Sequence, residues 1–102
     1  MTDTTEIITL KSDDFLLEID EECVRLTSDS TTTEYKTAAF KAYRVQQWGG
    51  DIYYCLHDLS SDAIMIDKPL YDEIGKIGRI HDCDPDVHEC VEGYKVNINS
   101  LF

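Results

Sequence analysis

Basic residues are scarce in this sequence. Its 102 residues include 9 Lys and Arg against 21 Asp and Glu, which gives a formal net charge of −12. A protein that binds nucleic acid without sequence preference needs Lys and Arg to displace counterions from the phosphates, so the composition disfavours that class. The same sign of charge disfavours binding to an anionic membrane surface.

Export and membrane signals are missing as well. The N-terminal stretch MTDTTEIITL has neither the basic segment nor the long apolar segment of a signal peptide. No run approaches the ~20 apolar residues of a membrane span. Four cysteines are too few for a disulfide scaffold and favour reduced thiols or metal ligands. We therefore expect a cytoplasmic protein, located in the host cell cytoplasm if it is viral.

Recognisable catalytic motifs are absent too. There is no G-x-S-x-G elbow, no P-loop and no G-x-G-x-x-G segment. Cys55 and His57 would share one face of a strand, but a buried sheet thiol beside a polar neighbour is the favoured interpretation. Because no nucleophile, base and orienting group can be assembled, we predict that the protein is not an enzyme.

Apolar residues, by contrast, are plentiful enough for a folded core. They make up 42% of the chain, with six Tyr, three Phe and one Trp, whereas disordered acidic segments are poor in such residues. The length suits one acidic globular domain over residues 1–102.

Alternating apolar residues predict β-structure. The pattern over 15–27 indicates a hairpin around the polar segment 20–22. Two aromatic and β-branched runs flank Gly49-Gly50, and they predict a second hairpin near 43–57. We expect a type I′ turn there, since both of its central residues need positive φ.

Helix signals are fewer. Asp67 as N-cap and apolar residues at helical spacing predict a helix that ends near Gly78. The capping-box spacing of Thr31 and Glu34 favours a short helix over about 32–41, with a strand as the competing interpretation. A further short helix is expected from about 84 to Gly93. The predicted fold class is α+β, mostly antiparallel sheet with one or two short helices packed on it.

The negative charge falls in two blocks. Residues 1–34 carry ten acids and two bases, residues 58–102 carry ten acids and four bases, and the aromatic middle carries one acid and three bases. Trp48, beside the Gly49-Gly50 turn, is a candidate interface anchor. The candidate partner-binding acids are Asp13, Asp14, Glu18, Asp20, Glu21, Glu22, Asp82, Asp84, Asp86, Glu89 and Glu92.

One pattern suggests a metal site. His81, Cys83, His88 and Cys90 form an H-x-C-x4-H-x-C segment of residue types that bind zinc. The single residue within each pair is shorter than the usual spacing of two to four residues. We therefore expect no cofactor, and zinc binding by these four residues is the alternative.

Clustered carboxylates repel one another, so their clustering does not stabilise a fold. Duplex DNA carries one negative charge per ~1.7 Å of axis, and regularly spaced carboxylates on a rigid sheet could occupy a basic groove meant for it. Anti-restriction, anti-CRISPR and other DNA-mimic proteins of bacterial viruses have this size and charge, although no motif is shared.

We therefore predict a non-catalytic inhibitor of viral or mobile-element origin. Its partner would be a basic nucleic-acid-binding effector or nuclease, bound by a monomer or small homo-oligomer without contact to nucleic acid or membrane. An immunity protein against a basic nuclease toxin, a small zinc-binding module and a merely solvated acidic surface are the alternatives.

Overall fold

The computed structural model describes residues 7–47, 49–82 and 90–102, which form two antiparallel sheets and one α-helix. The predicted α+β class is confirmed, with a single helix in the described residues. The first sheet has the order β1-β2-β3-β4, with strands Ile8–Lys11, Phe15–Ile19, Cys23–Ser28 and Thr31–Lys36. The second has the order β7-β6-β5-β9-β8. Its strands, β5 to β9, are Ala39–Gln46, Ile52–His57, Ile64–Ile66, Arg79–Ile80 and Cys90–Asn97. Helix α1 spans Lys68–Ile77, and a 3₁₀ turn spans Ile98–Ser100.

The hairpin expected over 15–27 is confirmed as β2 and β3. Leu17 lies opposite Leu26 and Ile19 lies opposite Val24, and all four side chains are buried. Because opposed residues share a face, the alternation in the sequence sets both the register and the buried side.

The helix expected over 32–41 is wrong, since this segment forms β4 and the start of β5. Asp29 and Ser30 have φ angles of 52° and 64°, as a two-residue type I′ turn requires. That turn folds β4 back along β3, where its Thr and Tyr side chains suit a pleated sheet. Cross-strand pairing therefore outweighs the helix propensity of the alanines that follow.

The hairpin expected near 43–57 is confirmed as β5 and β6. Gly49 and Gly50 have φ angles of 101° and 98°, so the expected positive φ is also confirmed. The loop is longer than predicted, however. Gln47 N–H donates to Asp51 O over 2.7 Å and Gly50 N–H donates to Gln47 O over 2.9 Å. The last hydrogen-bonded pair is therefore Gln47 and Asp51, and three residues, 48–50, lie between them instead of the two that a type I′ turn has.

Helix α1 begins and ends where the sequence predicts. Asp67 is the N-cap, and its side chain accepts a hydrogen bond from Leu70 N–H at 3.0 Å. The N–H of Gly78 donates to Ile74 O at the other end. The second helix, expected to end at Gly93, is wrong over residues 90–93 because they belong to β9. The rest of that prediction, residues 83–89, lies outside the described residues.

One core joins the two sheets and the helix. Its fully buried members come from β2 and β3, from β5, β6 and β9, from α1 and from the 3₁₀ turn: Leu17, Ile19, Val24, Phe40, Ala42, Leu56, Val96, Leu70, Ile74 and Ile98. A smaller cluster of Tyr43, Val45 and Cys55 lies on the other face of the second sheet. The shared hydrophobic core thus supports the turns of the first sheet.

Candidate acidic interaction surface

Three exposed carboxylates lie side by side at one end of the first sheet. Asp13 and Asp14 are in the β1–β2 turn, and Asp29 is in the β3–β4 turn. Phe15 lies opposite Ser28, so Asp14 and Asp29, each one residue beyond that pair, leave the sheet at the same end. Within the described residues none of the three forms an ion pair. We call Asp13, Asp14 and Asp29 the acidic turn surface.

The β1–β2 turn is held in place by hydrogen bonds. Ser12 N–H donates to Phe15 O over 2.9 Å, and Phe15 N–H donates to Ser12 Oγ over 3.2 Å. The Ser12 hydroxyl in turn donates to Asp67 Oδ2 over 2.8 Å. Because Asp67 also caps α1, the turn and the helix are fixed relative to each other. The turns border an open depression of about 410 Å³, which Lys11 also lines.

The opposite end of the sheet carries a second exposed pair. Glu21 and Glu22 are exposed in the β2–β3 turn, whereas Asp20 is committed to the turn itself. Asp20 Oδ1 accepts N–H groups from Glu22 at 2.8 Å and from Cys23 at 2.9 Å. Its Oδ2 lies 3.3 Å from an Arg25 nitrogen. The two backbone N–H donors, first Glu22 and then Cys23, lower the pKa of Asp20.

The predicted run of acids over 13–22 is therefore divided. Strand β2 has five residues, which at ~3.3 Å each span about 17 Å. Asp13 and Asp14 lie before this strand, and Glu21 and Glu22 lie after it. The acids of this block are thus presented as two groups at opposite ends of the sheet.

Glu18, a candidate partner-binding acid, lies on the outer face of the first sheet, but that face also carries Arg25. Glu18 lies opposite Arg25, which lies opposite Glu34 on β4. Arg25 and Glu34 are 3.3 Å apart, and the hydrogen bond from Arg25 to Glu34 is the main cause that raises the pKa of Arg25. The positive charge of Arg25 offsets the acids across the middle of the sheet.

The second predicted acidic block is described only in part. Asp82 is exposed, and Glu92 is half-buried on β9. The hydroxyl of Tyr71 on α1 donates to Glu92 Oε1 over 2.9 Å. Burial, followed by this hydrogen bond, raises the pKa of Tyr71. Glu92 therefore contributes to helix–sheet packing. Asp84, Asp86 and Glu89, like Trp48, lie outside the described residues.

Of the two predicted blocks, the described parts Glu21–Glu22 and Glu92 do not lie on one face. Glu21 and Glu22 border a depression with Ile98, just after β9 ends. Glu92 is five residues before Asn97, the last residue of β9, which corresponds to about 16 Å of strand. The Glu21–Glu22 turn and Glu92 are therefore at different ends of β9.

The acidic turn surface lies nearer Glu92 than the Glu21–Glu22 turn does. Ser12 bonds to Asp67 at the start of α1, and Tyr71, one helical turn later, bonds to Glu92. The β1–β2 turn and Glu92 thus both lie near the first turn of α1. The structure brings Asp13 and Asp14 together with Asp29, which sequence reasoning missed. The turn pair Asp29-Ser30 was the available signal, since Asp tolerates positive φ.

The described residues provide no support for the zinc hypothesis. Among them, no group of three or more His, Cys, Asp or Glu side chains could hold a metal ion, and Cys83 and His88 lie outside them. Cys90 is disulfide-bonded, so the expectation of a reduced thiol is wrong at this residue, whereas zinc binds thiolates. The hypothesis therefore requires the reduced form of Cys90, and zinc binding stays a prediction.

The two cysteines that the structure records as free have properties of buried thiols. Burial is the main cause that raises the pKa of Cys23 to about 11, and burial also raises the pKa of Cys55. The imidazole of His57 packs edge-on against the Tyr43 ring, with ring centroids 4.9 Å apart. Because the thiolate is the reactive form, these environments favour unreactive thiols.

Comparison of the chain with protein-family models, with curated proteins and with solved structures finds no match. In the part of the chain that the structure describes, no helix is both long enough and apolar enough to cross a membrane.

Proposed function

We propose that the protein is a non-catalytic inhibitor that binds a positively charged, nucleic-acid-handling protein and blocks its nucleic-acid site. One observation carries the proposal: Asp13, Asp14 and Asp29 are exposed, lack ion pairs within the described residues and lie side by side on two turns of one sheet. We further propose that this surface contacts the partner and that the protein acts in the cytoplasm.

Local charge supports this choice of surface. Several bases elsewhere are held by the chain's own acids, as in the pairs Lys41–Asp58 at 3.5 Å and Lys68–Asp72 at 2.8 Å. Lys11 is the basic residue that borders the acidic turn surface. No ion pair within the described residues has to be broken before these carboxylates contact a basic groove. Association would therefore release counterions from both surfaces.

Rigidity supports the choice as well. Neighbouring strands lie about 4.8 Å apart, so two turns at the ends of adjacent hairpins hold their carboxylates at short spacings. The Ser12 hydroxyl donates to Asp67 and accepts from Phe15 N–H, and these two hydrogen bonds fix the β1–β2 turn before any partner binds. A pre-organised surface loses little conformational freedom on binding, which suits an inhibitor that competes with a stiff duplex.

The test is a binding panel with charge-matched variants. Purified bacterial nucleases, CRISPR effectors and restriction enzymes are immobilised, and the affinity of the wild-type chain is measured at several salt concentrations. The partner is expected to bind more weakly as salt rises from about 50 to 200 mM. Asp13→Asn with Asp14→Asn should reduce the affinity by about tenfold or more.

The control is Glu21→Gln with Glu22→Gln, which removes the same two charges from the opposite end of the sheet. The affinity of this variant should stay within about threefold of the wild-type value. Its two lost charges lie away from the proposed contact, so they affect only long-range steering, which depends mainly on net charge. Equal losses for both pairs would reject the acidic turn surface as the contact. Binding that ignores salt and both substitutions, or no binding to any basic protein, would reject the proposed function.

A further inference from the structure

Among residues 7–47, 49–82 and 90–102, no element covers β4, which is an edge strand of the first sheet. It pairs with β3 on one side only, and all of its residues except Tyr35 are exposed. The other edge strand, β1, contacts α1. An uncovered edge presents N–H and C=O groups that can pair with another strand. β4 contains no proline, and its pairing with β3 has no bulge, so neither of these two common blocks to edge pairing is present.

The β3–β4 turn determines which backbone groups face outward. In a two-residue hairpin the residues that flank the turn, here Ser28 and Thr31, form a hydrogen-bonded pair, and the pattern then alternates along the strands. The register of β3 and β4 is regular from this pair onward. The residues whose backbone groups face the free edge are Thr32, Glu34 and Lys36.

The outer side chains of β4 are complementary to those of a second copy. Glu34 and Lys36 lie opposite Arg25 and Cys23, so both are on the same face. Two antiparallel β4 strands related by a two-fold axis at Tyr35 would place Glu34 opposite the partner's Lys36, and Lys36 opposite the partner's Glu34. Opposite charges in such cross-strand positions are stabilising, whereas like charges are destabilising. An axis at Glu34 would oppose two glutamates.

We propose that two copies of the chain join through β4, in the register centred on Tyr35, so that residues 34–36 of the two copies pair antiparallel and connect the two four-stranded sheets. The net charge of −12 on each copy opposes this association at low salt. Because the Debye length is about 8 Å at 0.15 M salt, the long-range repulsion is largely screened there while the contact pairs remain. This inference does not depend on the proposed function.

Dimerisation would also bring together acids that one copy keeps apart. Antiparallel pairing reverses the second copy, so the turn with Asp29 of one copy lies at the same end as the partner's β2–β3 turn. Each end of the joined sheet would then carry exposed carboxylates from both copies. The dimer would therefore present a longer row of acidic turns than the single chain.

Sedimentation velocity over a range of protein concentrations tests the dimer. At 0.15 M salt the weight-average mass of the wild type should rise from 11.7 kDa towards twice that value. Lys36→Glu should weaken the association by about tenfold, because both cross-strand pairs become repulsive. The charge swap Glu34→Lys with Lys36→Glu should restore it. Lys11→Glu, with the same change in charge on the other edge strand, should leave it unchanged.

Amide hydrogen exchange at residue resolution provides a second readout. The N–H groups of Glu34 and Lys36 should exchange more slowly at high than at low protein concentration, because in the dimer they donate to the partner. A mass that stays at 11.7 kDa up to about 1 mM protein would overturn the proposal. So would Lys36→Glu without effect, a charge swap without rescue, or exchange at Glu34 and Lys36 that ignores concentration.

Discussion

At the scale of single residues, a carboxylate's contribution to net charge says little about its role. Asp20 and Glu22 are two positions apart, yet Asp20 closes a turn and Glu22 is exposed. The sequence identified both as acidic candidates because it shows charge and spacing. It could not show that two backbone N–H groups and Arg25 converge on one carboxylate, since that convergence depends on the register of β2 and β3.

We predict that Asp20→Ala destabilises the protein by about 1–2 kcal/mol, because two turn N–H groups lose their acceptor. Asp20→Asn should cost less, since its carbonyl oxygen can still accept from both. Urea unfolding of the two variants measures the difference. Equal stability of Asp20→Ala and the wild type would contradict the role given to Asp20.

The lowered pKa of Asp20 predicts a pH dependence. An acid whose pKa is lower in the folded state stabilises the fold above its unfolded pKa of about 3.9, and this contribution is lost as pH falls through the folded value. The stability difference between wild type and Asp20→Asn should thus be full at neutral pH and shrink below about pH 4. A difference that grows on acidification would refute the assignment.

Gly93 supports a third prediction at this scale. A Cβ at this position would lie 2.6 Å from Cδ1 of Tyr43, whose side chain is fully buried. We expect Gly93→Ala to cost about 1–3 kcal/mol through overpacking. In a Tyr43→Leu background the same substitution should cost less, because the ring is gone. Thermal unfolding of the four proteins measures this coupling, and an unchanged cost would indicate another cause.

At the scale of elements, the sequence patterns that predicted structure correctly were those that depend only on residues within the same segment. Asp67, the helical spacing of apolar residues and Gly78 located α1, and the alternation in 15–27 located β2 and β3. The failure at 32–41 had a different origin. Alanine content and the Thr31–Glu34 spacing favour a helix in isolation, whereas β3 offers the segment a hydrogen-bonded neighbour that the sequence alone does not reveal.

Asp67 connects two elements, and its two oxygens allow a separable test. Oδ1 accepts from Leu70 N–H, and Oδ2 accepts from the Ser12 hydroxyl. Asp67→Ala should cost about 1–2 kcal/mol, because the cap is lost, and Ser12→Ala about 0.5–1.5 kcal/mol. The double variant should be less destabilised than the sum of the two, as groups that share a bond are not additive. Additive losses would show that the turn and the helix are not coupled.

At the scale of the whole molecule, the net charge is −12, and the turns of the first sheet determine where the acids of the first block lie. The sequence predicted two acidic blocks, and the described residues divide the first between opposite ends of β2 and commit Asp20 and Glu92 to internal hydrogen bonds. The division depends on strand order, so composition could not predict it. What remains exposed and concentrated at one end is Asp13, Asp14 and Asp29.

Competition with duplex DNA tests the central claim most directly. A basic effector identified in the binding panel is loaded with a labelled duplex, and displacement of the label by this protein is measured. The wild type and Glu21→Gln with Glu22→Gln should release the duplex. The variant with Asp13→Asn, Asp14→Asn and Asp29→Asn should not, and Asn tolerates the positive φ at position 29. Displacement by this triple variant at the wild-type concentration would contradict the account.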